Sequence, residues 1–176
     1  MSFLVGAQEA GGPAPKPAGV FAPLNYGMVT DTLHRSAMPE ARHVGFLTLL
    51  GIQSIVVLSP TGPTPDLVRW AADAGVALVH PQSVTVGKST SLSEAAAAEV
   101  VSLLLAGSLP QPVLVVCPSG RYRTGVVVGC LRKLQHWNNA ATVDEYRRFA
   151  EGRARLENEE FIEMFDVSLV SAGLVE

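Results

Sequence analysis

The run Val113-Leu114-Val115-Val116 is the most apolar strand-length segment of the chain, and it ends at a cysteine, Cys117. Consecutive aliphatic residues leave no face for water, so a strand made of them is buried on both sides. Such strands belong to parallel sheets sandwiched between helices. The flanking pattern agrees. Ile52 to Leu58 and Val76 to Val79 are β-branched runs of strand length. Helical stretches alternate with them. Pro39 to Leu50 has a helical apolar pattern and stops at Gly51. Thr64 followed by Pro65 is an N-cap with proline at the first helical position, opening a helix to about Ala74 that Gly75 ends. Ser91-Leu92-Ser93-Glu94 fits a capping box for a helix to about Ala106, with Gly107 as its stop. From Thr124 onward the pattern is helical, in three segments. The expected fold is α/β, with a central, mostly parallel sheet flanked by helices. Sheets of this kind bind ligands beyond the carboxyl ends of their strands, which directs attention to the segment after Val116.

Length and composition set the frame. A chain of 176 residues, 48% of them hydrophobic, is the size of one domain with a sizeable core. Residues 6–19 are rich in Gly, Ala and Pro, so residues 1–20 are expected to form a flexible tail and 21–176 the folded domain. There is no internal repeat. The net charge of −3 offers no basic surplus for nucleic acid. The two cysteines, Cys117 and Cys130, do not make a disulfide framework and fit a reducing, cytoplasmic compartment. No apolar run reaches the roughly 18 residues of a membrane span. Nor does the start read as a signal peptide, and Ser2 stands where a myristoylation signal needs glycine.

After the strand come Cys117-Pro118-Ser119-Gly120-Arg121-Tyr122-Arg123-Thr124-Gly125. A loop between a strand end and a helix N-terminus aims several backbone N–H groups at one centre, and the helix dipole adds positive potential there. A phosphate would sit in that cradle, made by Pro118, Ser119, Gly120, Arg121 and Tyr122. A thiolate would be favoured there too, so Cys117 is placed to act as a nucleophile. Arg123, where the loop turns back, has a planar fork suited to two phosphate oxygens. Thr124 carries a hydroxyl that can stabilise the departing thiolate. Gly125 and Gly129 are expected to let the helix approach the sheet closely. Cys130, inside that helix, reads as core. His34 and His43 have no metal-ligand spacing, so neither a metal nor another cofactor is expected. Arg147, Arg148, Arg153 and Arg155, mixed with Glu145, Glu151 and Glu157, read as a solvated helix face with i,i+4 pairing. Trp70 and Trp137 read as core.

At these residues the chain resembles a known family. Cys117 to Arg123 is similar to the Cys-x5-Arg signature of protein tyrosine phosphatases. The wider sequence resembles the atypical dual-specificity phosphatases of plants and fungi. The resemblance runs through Pro23 to Val29, Arg35 to Pro39, Phe46 to Ile55, Cys117 to Gln135, Glu145 to Phe149 and Phe161 to Asp166. It implies a cysteine-phosphatase fold and metal-free removal of phosphoryl groups through a phosphocysteine. The implied substrates are phosphotyrosine and other phosphoproteins, or inositol pyrophosphates. Lys88 aligns with a family lysine facing the site. Val116 precedes the cysteine where many relatives have His, and Pro118, Ser119 and Tyr122 occupy positions that are often basic.

Tyrosine phosphatases usually protonate the leaving oxygen with an Asp on a separate loop. The expected loop here, His80 to Thr90, contains no Asp or Glu. His80 and Glu94 are the remaining candidates, beside bland readings for both: a structural histidine and a capping-box partner. A missing acid tilts the substrate toward aryl phosphates and phosphoanhydrides, whose leaving groups are stable anions. The alternative to a competent enzyme is a weakly active or inactive anion-binding subunit, associated with related phosphatase-like subunits in a regulatory complex. Intact Cys117 and Arg123 speak against it, because binding alone needs no thiolate.

Overall fold

The computed structural model describes residues 19–87 and 90–171. The expected tail falls almost wholly outside them, and so does Lys88. Five strands form one sheet: β1 (Gly27–Met28), β2 (Leu33–Ala37), β3 (Ser54–Val57), β4 (Ala77–Val79) and β5 (Val113–Cys117), in the spatial order β1-β2-β5-β3-β4. Only β1 runs antiparallel, against β2. The sheet is therefore mostly parallel, as the sequence predicts. Strands β1 and β2 were not legible as strands, because Leu33-His34-Arg35-Ser36-Ala37 is largely polar for a fully buried segment.

The apolar run lies at the centre of the sheet, between β2 and β3. Its side chains alternate between two cores, as a strand's period of two requires. Leu114 and Val116 join Leu47, Ile55, Val57, Leu67 and Ala71. That layer is closed by α1 (Val44–Leu49) and α2 (Pro65–Ala74). Val113, Val115 and Cys117 join Ala97, Val100, Val101, Val126 and Val127 on the other face. There α3 (Glu94–Leu105) and α4 (Arg123–Leu134) form the cover. Each fully buried aliphatic side chain contributes roughly 1.5–3 kcal/mol, so β5 is the best-anchored strand available to carry a site.

Helix α2 forms as its caps dictate: the Thr64 hydroxyl accepts from Leu67 N–H, and Gly75 closes the helix at φ 68°. The capping box before α3 does not form. The N-cap is Ser93, whose hydroxyl accepts from Ala96 N–H, so Glu94 lies in the first turn. Its carboxylate instead accepts from Asp166 N–H at 3.1 Å.

Beyond α4 come α5 (Asn139–Ala150), α6 (Leu156–Met164) and the short α7 (Ser168–Ser171). The α4 glycines face these helices rather than the sheet, contrary to expectation. A Cβ on Gly125 would lie 2.8 Å from the Tyr146 ring of α5, and one on Gly129 2.7 Å from Ile162 of α6. The basic cluster also differs. Its ion pairs join separate elements: Arg147 is forked onto Glu159 of α6 at 2.9 and 2.6 Å, and Glu145 is taken by Arg132 of α4 at 2.8 and 3.0 Å. Trp137 is 42% exposed beneath the Arg132 guanidinium rather than in the core.

Candidate active site

The carboxyl ends of β2, β3 and β5 lie level with one another, since Ala37 pairs with Cys117 and Val57 with Val116. Cys117 thus stands at the edge of the sheet where a parallel arrangement presents its ligands. Only 1% of it is exposed. Its carbonyl accepts from Met38 N–H at 2.9 Å and from Gly120 N–H at 3.2 Å, which starts the loop's turn.

Gly120 completes that turn at φ 68°, a left-handed conformation that costs glycine little. A Cβ there would also lie 2.6 Å from the Ser36 carbonyl carbon. Glycine is needed on both counts, and the loop is pressed flat against β2. Ser119 Oγ accepts from Arg121 N–H at 3.3 Å. Helix α4 then starts at Arg123 after Tyr122, with no side chain capping it. The first N–H groups of a helix have no intrahelical partner, and those of α4 follow directly on the loop.

Arg123 is fully buried and its guanidinium donates to the carbonyls of Leu58 (3.3 Å), Val84 and Val86 (3.3 Å). These contacts come from the end of β3 and from the turn Gln82–Thr85 and its exit. They fix the plane of the fork. Burial pulls the Arg123 pKa down, and the charge of Cys117 opposes that pull. The Thr124 hydroxyl is buried without a hydrogen-bond partner among the described residues. Arg121, its side chain largely buried, forms an ion pair with Glu151. Arg155 lies 4.8 Å over the Tyr122 ring, at the rim.

The two acid candidates are placed differently from the cradle residues. His80 Nε2 is 2.8 Å from the Ser59 carbonyl, which reads as a structural hydrogen bond. Glu94 is engaged with the Asp166 backbone. Cys130 is fully buried inside α4, and burial pushes its thiol up to about 12. Among the described residues, no three His, Cys, Asp or Glu side chains gather into a metal-holding group. No described helix is long and apolar enough to cross a membrane.

Two side chains that sequence reasoning did not single out also touch the loop. Asn25 Nδ2 donates to the Ser119 carbonyl at 2.8 Å, and Arg35 Nη2 to the Gly120 carbonyl at 2.9 Å. The available signal was a charged residue in the middle of a strand-length segment.

Comparison with known proteins agrees with this geometry. The model of the tyrosine phosphatase family matches residues 20–175. The chain is 43% identical over 152 residues to the OCA1 protein of Mycosarcoma maydis, covering 84% of this chain and 94% of that one. It is 38% identical over 148 residues to the inositol diphosphatase DSP2 of rice, Oryza sativa subsp. japonica, covering 83% and 72%. The core catalytic domain of the PP-IP phosphatase SIW14 from S. cerevisiae, solved with citrate, superposes with a TM-score of 0.79 at 30% identity, covering 88% of this chain and 93% of that one. With a cysteine and an arginine bracketing a strand-to-helix loop at the edge of such a sheet, the chain belongs to the tyrosine phosphatase family, as a cysteine-based phosphatase of its fungal and plant branch.

Proposed function

We propose that this phosphatase hydrolyses the phosphoanhydride bond of inositol pyrophosphates through a phosphocysteine on Cys117. The observation that carries the choice of bond is the lack of an acid. His80 to Ser93 contains no Asp or Glu, His80 is bonded to Ser59, and Glu94 is bonded to Asp166. General acid catalysis contributes roughly 10²–10⁴-fold, and an alkoxide leaving group needs it. A phosphate monoester, with its second pKa of about 6, leaves as a stable anion without it. The rice relative is named an inositol diphosphatase and the yeast structure a PP-IP phosphatase, which supports the same choice. Arg121, ion-paired with Glu151, and Arg155, over the Tyr122 ring, are the further cations beside the loop for additional phosphates.

In the first step the Cys117 thiolate attacks the terminal phosphorus. An S–P bond forms, the bond from phosphorus to the bridging oxygen breaks, and its electron pair leaves on the inositol phosphate. The backbone N–H groups of the loop and the fork of Arg123 hold the non-bridging oxygens, whose charge is spread most widely in the transition state. In the second step water attacks the same phosphorus and the S–P bond breaks. Cys117 departs as thiolate, accepting a hydrogen bond from the unpartnered Thr124 hydroxyl, and the water's proton leaves with inorganic phosphate. Aryl phosphates, with a phenolate leaving group, are the second-best substrate class.

The test is kcat/KM on an inositol pyrophosphate, a phosphotyrosine peptide and a phosphoserine peptide at matched ionic strength, since charge contacts are screened beyond about 10 Å at 0.1 M salt. The expected order is as written, with phosphoserine slower by about 10² or more. Equal rates on phosphoserine and the pyrophosphate would refute the choice of bond.

A further inference from the structure

A loop that offers its N–H groups to a ligand leaves its carbonyls to be satisfied elsewhere, and each buried carbonyl needs a donor. Three donors from residues 25–38 meet that need. Met38 N–H takes the Cys117 carbonyl, Asn25 Nδ2 takes the Ser119 carbonyl, and Arg35 Nη2 takes the Gly120 carbonyl. Asn25 has φ 54°, a left-handed backbone that asparagine tolerates better than most residues.

Arg35 is an unusual strut. It is fully buried, and its guanidinium carbon lies 3.9 Å from the centre of the Phe149 ring. Its Nε and Nη1 are buried with no hydrogen-bond partner among the described residues. Burial lowers its pKa to about 10, and the charges of Glu145 and then Cys117 oppose that. A buried cation with two unpartnered donors is a poor way to gain stability, because an apolar residue would fill the space at lower cost. What it does accomplish is to hold the Gly120 carbonyl and to place a second cation, beside Arg123, within reach of the Cys117 charge.

We propose that Arg35 and Asn25 are positioning residues that turn the Gly120 and Ser119 carbonyls outward and so keep the cradle's N–H groups aimed at the transferring phosphoryl group. This rests on the proposed phosphocysteine mechanism and extends it to two residues that act through the loop's carbonyls.

The experiment uses Asn25→Asp, Asn25→Gly, Arg35→Lys and Arg35→Met in the full chain. Inhibition by orthovanadate, kcat and KM on para-nitrophenyl phosphate, and the melting temperature are measured for each. Asn25→Asp is isosteric, tolerates the same backbone, and sets a carboxylate against the Ser119 carbonyl. It is expected to raise the vanadate inhibition constant about tenfold or more, with KM raised and kcat lowered, while the protein melts within a few degrees of wild type. Asn25→Gly, which only removes the donor, is expected to raise it about threefold. Arg35→Lys keeps the charge and should retain part of the vanadate affinity that Arg35→Met loses. Wild-type vanadate inhibition in Asn25→Asp and Arg35→Lys would overturn the proposal, as would losses that merely track the melting temperature. Should Arg35→Met fail to fold, the other three variants decide. Cys117→Ser in the same assay separates the two readings. Turnover surviving there refutes the phosphocysteine itself, whereas an inert Cys117→Ser beside a wild-type-like Asn25→Asp refutes only the positioning role.

Discussion

Cys117 and Cys130 lie on either side of the start of α4, and both are hidden from solvent, at 1% and 0% exposure. Their surroundings differ completely. Cys130 sits in mid-helix among Val and Leu side chains, where every nearby backbone N–H is spent on the helix itself. Lys133 is the charge that helps it most, and burial still pushes its thiol up to about 12. Cys117 is the last residue of β5, ahead of the start of α4. Two buried arginines, Arg35 and Arg123, both have its charge among the influences on their own ionisation. Burial by itself makes a thiol inert. Burial beside two cations, at the junction of a strand end and a helix start, is a different setting, and on the proposed mechanism that difference decides which cysteine does chemistry.

The largest effect expected is at the nucleophile. Cys117→Ser should lower kcat by at least about 10⁴-fold in steady-state turnover of an inositol pyrophosphate, and chelation with EDTA should not affect the wild type. Arg123→Ala comes next, with a loss of about 10³-fold or more. Arg123→Lys should recover little, because a point charge cannot reproduce a fork held by three carbonyls. That variant should also loosen the 82–86 turn, seen as faster hydrogen exchange there. The smallest effect is at the other cysteine. Cys130→Ala should leave kcat/KM within about twofold, as expected of a mid-helix core residue outside the loop. Its effect is instead on stability against pH. A folded-state pKa raised to about 12 contributes stability that is intact below the ordinary thiol range and is lost as pH rises toward the folded value. Between about pH 8.5 and 10, the wild type should therefore lose stability more steeply than Cys130→Ala in urea titrations. Identical slopes would remove burial as the explanation for its inertness.

Much of this was readable in the residues. The apolar run of β5, the Thr64-Pro65 start of α2 and the loop from Cys117 to Arg123 are local signals, each fixed by a few neighbouring side chains. The β1–β2 side of the sheet was not readable, because β2 buries His34, Arg35 and Ser36, and a strand with that composition has no apolar signature. The same polarity hid the setting of Arg35, and Asn25 lies outside any strand. Their partners, Ser119 and Gly120, are distant in sequence, and no spacing rule connects an amide or guanidinium to a carbonyl across a crossover. The α4 glycines were recognisable as contact points but their neighbour was not, since periodicity marks a close face without saying what packs on it. The cap before α3 was ambiguous for a similar reason: Ser91 and Ser93 are both good caps, and tertiary contact between Glu94 and Asp166 favours the second.

A covalent phosphoryl group on one sulfur is the centre of the mechanism. The most direct measurement is to mix the enzyme with inositol pyrophosphate radiolabelled on the terminal phosphoryl group, quench within one turnover, and map the label by peptide digestion. The expected result is an acid-stable, base-sensitive label on the peptide containing Cys117, absent in Cys117→Ser and never on Cys130. Label on another residue, or rapid turnover with no labelled protein at any quench time, would contradict it.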